Sequence, residues 1–120
     1  MMKWTIQFIW GISILLVVCL SLTPRMEIPY HFSGADKLAH FAAYTWLAML
    51  PFFGFAGRRT ALTGALLMAL LGIGLECAQC YVPGREFSFF DILANSAGVT
   101  IGIVVTGYIK TRRLHFQDLT

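Results

Sequence analysis

Residues 60–82 read TALTGALLMALLGIGLECAQCYV, and the fold class turns on them. No charge interrupts the run until Glu76. At about 1.5 Å of rise per residue, a helix of this length crosses a hydrocarbon core of about 30 Å. The apolar positions do not alternate with the period of two that a membrane strand requires, so the segment reads as a membrane helix. Within it, Ala61, Ala65, Ala69 and Gly72 form a stripe of small residues that leads up to Glu76. Such stripes let membrane helices approach closely and mark a packed face rather than a lipid face. Gln79 lies one turn beyond Glu76 on that same face.

Three further apolar stretches flank this one, at about residues 4–22, 38–55 and 89–109. The first carries no charge at all, and the second contains Pro51, which is expected to end or kink its helix. The first also has a basic start, as a signal peptide has. Its run is long for that role, however, and Leu22-Thr23-Pro24-Arg25 supplies no small-x-small cleavage site, so a retained helix is expected. The composition agrees: 120 residues, 58% hydrophobic and 12% charged, with mean hydropathy +0.71. A soluble domain carries about twice that charge fraction. The expectation is an all-α membrane protein, one domain over residues 1–120, with four transmembrane helices in a single bundle.

The net charge of +3 is unevenly distributed. With four crossings, Lys3, Arg58, Arg59, Lys110, Arg112 and Arg113 fall on one side, against Arg25, Lys37 and Arg85 on the other. The positive-inside rule then makes both termini cytoplasmic. Basic residues so placed serve topology and contact with anionic lipid, and no basic patch has the character of a nucleic-acid surface.

Three polar pairs stand out against this background: Asp36 with His40, Glu76 with Gln79, and Asp91 with Asn95. Each is spaced for one helix face, and all three fall within about 10 Å of the outer boundary by helical rise. Ionisable groups at such depth need partners, so the pairs are expected to meet. Ser88, with Asp91 three positions on, has the form of a helix start in which Asp91 reaches back to the cap. Pro83-Gly84 makes a turn that returns Arg85 toward the cluster, to pair with Glu76 or Asp91 or to receive an anion. Lys37 and Arg25 are candidates for the same anion. His40 reads as a general base, a metal ligand or a neutral buried histidine. Cys77-x-x-Cys80 has redox spacing but lies at a helix C-terminus, where the dipole opposes thiolate formation. A metal set of His40, Glu76 and Asp91 is chemically possible, but Lys37 and Arg85 argue for internal charge balance or an anionic ligand. Neither metal nor cofactor is expected.

Taken together, Asp36-Lys37-x-x-His40-Phe41, Glu76-x-x-Gln79, Pro83-Gly84-Arg85 and Ser88-x-x-Asp91-x-x-x-Asn95-x-x-Gly98 resemble the VanZ-like family of small membrane proteins. Ser21-Leu22-Thr23-Pro24 and Pro29 fit the resemblance, while Cys77 and Cys80 are not part of it. The resemblance implies an integral protein of the bacterial cytoplasmic membrane, linked through the founding member to low-level teicoplanin resistance, and it assigns no reaction. Three functions are open. The cluster holds an anionic envelope lipid or lipid-linked cell-wall precursor, with Arg85 and Lys37 on the phosphate. Alternatively, it is an enzyme on such lipids with His40 or Glu76 as base, or the polar groups serve architecture alone. The sequence leaves the oligomeric state open.

Overall fold

A computed structural model of the protein describes residues 2–24 and 33–119. Arg25, Glu27 and Pro29 lie outside the described residues. Four helices follow one another: α1 (Met2–Leu22), α2 (Ser33–Gly54), α3 (Arg58–Gln79) and α4 (Phe89–Gln117). They form a bundle 56 Å long and 26 by 21 Å across. Three helices, α1, α3 and α4, are long and apolar enough to cross a membrane.

The remaining helix, α2, is less apolar than the other three. α2 opens with Asp36, Lys37 and His40 and carries Tyr44, Thr45 and Trp46 at its middle. Its position explains this composition. α2 packs against all three other helices, and Tyr44, Leu47, Ala48 and Phe52 form the core with Ala61, Ala65, Met68 and Val99. A helix whose surface meets protein does not need the hydrocarbon-like composition of one that meets lipid. The outward faces of the others are aliphatic and aromatic, as with Phe8, Leu15 and Leu16 on α1 or Leu66 and Leu70 on α3. In water such surfaces would be an association hazard, whereas in hydrocarbon they are the favoured face.

Chain direction alternates, so α2 and α4 run parallel and lie in close contact. Added Cβ atoms at Gly98 and Gly102 would come within 2.5 Å of the Phe41 carbonyl oxygen and 2.7 Å of the Thr45 carbonyl oxygen. Backbone therefore meets backbone, which only glycine permits. α3 crosses antiparallel to both, with Gly64 seated on the Pro51 ring and Gly72 on Tyr44 and Asn95. The small-residue stripe expected on α3 thus faces the interior, as do Gly98 and Gly102 on α4.

Pro51 does not stop α2, which runs on to Gly54. A proline there removes the N–H that would bond the Leu47 carbonyl one turn earlier. Trp10 of α1 supplies the substitute, its Nε1 donating to Leu47 O at 2.9 Å. Gln7 likewise donates to Gly54 O at 2.9 Å, where α2 ends with unpaired carbonyls. Trp46 Nε1 donates to Ser13 Oγ at 3.1 Å. These three bonds attach the first part of α1, whose inward side also carries Ile14 and Val17.

Three helix ends differ from the sequence expectation by three residues or more, the first being the start of α2 at Ser33 rather than 38. α3 stops at Gln79 rather than 82, because residues 80–85 close turns (Tyr81 N to Ala78 O and Val82 N to Gln79 O, both 3.1 Å) and Gly84 takes φ 75°. α4 continues two turns past residue 109 to Gln117. Its extension contains no glycine or proline and is exposed. Loss of apolar character there marks the end of the span, not of the helix.

The α2–α4 approach yields a stability test. Gly98→Ala is expected to destabilise by about 2 kcal/mol through overpacking against backbone. Gly74→Ala, where an added methyl meets nothing within 4 Å, should leave the detergent unfolding midpoint unchanged or raised.

Candidate functional site

The parallel register of α2 and α4 determines which polar residues meet. Lys37, His40, Phe41 and Thr45 of α2 face Asp91, Asn95, Gly98 and Gly102 of α4 in order. Lys37 Nζ bonds Asp91 Oδ1 at 3.0 Å, and His40 Nδ1 lies 3.0 Å from Asn95 Oδ1. Since that oxygen only accepts, Nδ1 carries the hydrogen and donates. Nε2 then faces two carboxylates, 3.9 Å from Asp36 Oδ1 and 3.9 Å from Asp91 Oδ2. These separations are too long for hydrogen bonds.

The start of α4 shows a division of labour. Ser88 caps the helix, its Oγ accepting from Asp91 N at 3.3 Å. The reciprocal bond of a capping box, expected from Asp91, comes from α3 instead: Glu76 Oε2 accepts from Ser88 N at 3.2 Å. Glu76 is almost completely buried at this contact. By taking the cap N–H, it leaves both oxygens of the Asp91 carboxylate to Lys37 and His40.

Of the roles expected for Arg85, pairing with Glu76 or Asp91 or receiving an anion, neither carboxylate pair is formed. Among the described residues its hydrogen bonds go to α1, with Nη2 to Leu20 O at 2.8 Å and Nε to Thr23 O at 3.1 Å. Gln79 adds a bond from Nε2 to Ser21 O at 3.0 Å. The last turn of a helix leaves its carbonyls without partners and carries the negative end of the helix dipole, so a cation and an amide donor are suitable caps. The role of α1 in the site was missing from the sequence reading. The available signal was the lack of a capping glycine or asparagine after Leu22, where Thr23-Pro24 follows.

All eight predicted residues (Asp36, Lys37, His40, Glu76, Gln79, Arg85, Asp91 and Asn95) therefore lie at one end of the bundle. They form two linked groups: one on α2 and α4, the other joining α3 and the turn after it to α1. Between them is a cleft of about 190 Å³. Val17, Leu20 and Ala43 give it an apolar wall, and Asp36, His40, Gln79 and Arg85 a polar end. No buried side-chain nitrogen or oxygen among the described residues lacks a hydrogen-bond partner.

Asp36, His40 and Asp91 each offer one ligand atom, and these atoms lie within 4.8 Å of one another. Imidazole with carboxylates is a donor set of the zinc and manganese type, although Lys37 already supplies Asp91 with a counter-ion. Cys77 and Cys80 are free thiols at the C-terminal end of α3, the position that disfavours an activated thiolate.

A family model described as VanZ/LLP1 matches residues 2–110, which include all four helices through the apolar part of α4. The chain belongs to the VanZ/LLP1 family. An uncharacterised protein of Schizosaccharomyces pombe is 27% identical over 109 residues, covering 88% of this chain and 65% of that protein. The VanZ/LLP1 chain thus spans somewhat under two thirds of its curated relative's length. No solved structure matches it.

The Glu76 contact can be tested directly. Glu76→Ala strands the Ser88 N–H and is expected to cost about 2 kcal/mol in an unfolding titration. Glu76→Gln keeps an acceptor oxygen in place and should recover most of that loss.

Proposed function

We propose that this VanZ/LLP1 protein is a four-span protein of the bacterial cytoplasmic membrane that holds the head group of an anionic envelope lipid, or of a lipid-linked cell-wall precursor, in the cleft between α1 and α2. The supporting observation is the cleft's division into an apolar wall (Val17, Leu20, Ala43) and a polar end with Arg85 at its edge. Two N–H groups of Arg85 are engaged by α1. A guanidinium has five, so donors remain for a phosphate. Asp36, Gln79 and His40 would meet the rest of a head group. In this reading α2 spans with the others and both termini are cytoplasmic, on the strength of six of the nine basic residues lying at one end of the bundle. Reduced glycopeptide sensitivity would follow if the occupant is a cell-wall precursor.

Two measurements test this reading. A C-terminal fluorescent fusion should be bright and a C-terminal alkaline phosphatase fusion inactive; the reverse pattern would invert the topology. In native mass spectrometry, Arg85→Gln should lower retention of co-purified anionic lipid several-fold without changing the helical content. Unchanged retention would leave Arg85 as a clamp on α1 and favour an architectural cluster.

One observation favours a second reading, an enzyme on the same lipids. His40 lines the cleft and is oriented by Asn95 with Nε2 toward two carboxylates, the arrangement of a positioned acid or base. Turnover of a labelled lipid by purified protein, lost in His40→Ala, would support it. No turnover across a broad lipid panel would exclude it.

A further inference from the structure

At the far end of the bundle lies a second and larger cleft of about 420 Å³, between the end of α2, the start of α3 and the C-terminal half of α4. None of the polar-cluster residues lines it. Phe52, Leu62, Ile103 and Leu114 give it apolar walls, and its two charged members are both cations, Arg58 and Lys110. We propose that this cleft binds the phosphate of an anionic glycerophospholipid, with Arg58 and Lys110 on the phosphate and an acyl chain along Leu62 and Ile103.

Charge complementarity carries the argument. No carboxylate lines the cleft. Arg58 has no side-chain partner among the described residues, and Lys110 is placed 5.9 Å from the centre of the Phe53 ring, a contact that leaves its charge uncompensated. The start of α3 adds to this field. Its N-cap is Gly57, with no side-chain cap bond, so the first N–H groups and the positive end of the helix dipole remain available at the residue that carries Arg58.

Depth identifies the occupant. Arg58 begins α3, and Lys110 directly follows the apolar run of α4, at the level where hydrocarbon gives way to head groups. A cleft that is cationic at that level and apolar below it suits a lipid. A free phosphate would make no use of the walls. The volume lies within the range of about 300–1,000 Å³ typical of small-molecule sites. This site stands independently of the Arg85 cleft and of the orientation proposed above.

The test offers detergent-purified full-length protein an equimolar mixture of phosphatidylglycerol and phosphatidylcholine and reads bound lipid by native mass spectrometry. Wild type should prefer phosphatidylglycerol, and R58Q/K110Q should lose that preference at least fivefold. R112Q/R113Q, which removes the same charge from the same end outside the cleft, should keep it. Phosphatidylglycerol should also raise the thermal midpoint of wild type and of the charge-conserving R58K/K110R, which keeps the proposal testable if the neutralised variant is unstable. Equal losses in both neutralised variants would show a diffuse basic surface and overturn the site, as would no loss in either. Displacement of the lipid by millimolar inorganic phosphate alone would overturn the assignment to a lipid.

Discussion

The parallel contact between α2 and α4 is the constraint on which the rest depends. Gly98 and Gly102 sit directly on the Phe41 and Thr45 carbonyls, so the two backbones approach more closely than side chains would allow. At that separation the turns toward the N-terminal ends are in reach as well. Lys37 meets Asp91 and His40 meets Asn95 because both pairs lie on the facing sides of the two helices, N-terminal to the Phe41–Gly98 contact and within two turns of it. A larger residue at position 98 would part the helices at both polar contacts. The packing motif and the polar cluster are one device, in which glycine sets the distance and the charges use it.

A second constraint comes from the surroundings. In hydrocarbon no water can complete a backbone or side-chain hydrogen bond, so every break in a helix must be repaired from within the protein. Among the described residues, three such breaks besides the Gly54 carbonyl taken by Gln7 are repaired by side chains from elsewhere in the chain. Pro51 frees the Leu47 carbonyl, and Trp10 takes it. The end of α1 frees the carbonyls around Leu20 to Thr23, and Gln79 and Arg85 take three of them. The start of α4 frees the Ser88 N–H, and Glu76 takes it. The polar residues of the cluster therefore do architectural work whether or not a ligand is bound. A variant at any of them will carry a folding effect that has to be separated from a functional one.

This division explains what could be read in the sequence. The four helices, the convergence of Asp36, His40, Glu76, Gln79, Asp91 and Asn95, and the inward stripe of small residues on α3 follow from spacing, because helical periodicity puts neighbours three and four apart on one face. The destinations of individual bonds do not follow from spacing. Arg85 was expected at a carboxylate or an anion, yet its acceptors include backbone carbonyls at the end of α1, which every residue possesses and no residue type signals. Asp91 was the expected partner for the cap of α4, and only the crossing of α3 over Ser88 brings Glu76 there instead. The length of α4 was concealed for a different reason: Lys110 to Gln117 is polar but still helix-forming, so hydropathy ends where the helix does not. The more polar composition of α2 reflects its central place, which no local pattern records.

The two ends of the bundle also differ in how their charge is balanced. At the polar end, Asp36, Glu76 and Asp91 stand with Lys37 and Arg85, and nearly every contact is internal. At the other end, Lys3, Arg58, Arg59, Lys110, Arg112 and Arg113 face Asp118 alone among the described acids. A balanced cluster can enter the low-dielectric region, because its members desolvate one another. An unbalanced one cannot, and it stays at a surface where counter-charge is available. That asymmetry leaves the basic end in need of anions from outside the chain. Under the proposal above, anionic lipid at that boundary supplies them, and the cleft at Arg58 and Lys110 gives one such lipid a defined place.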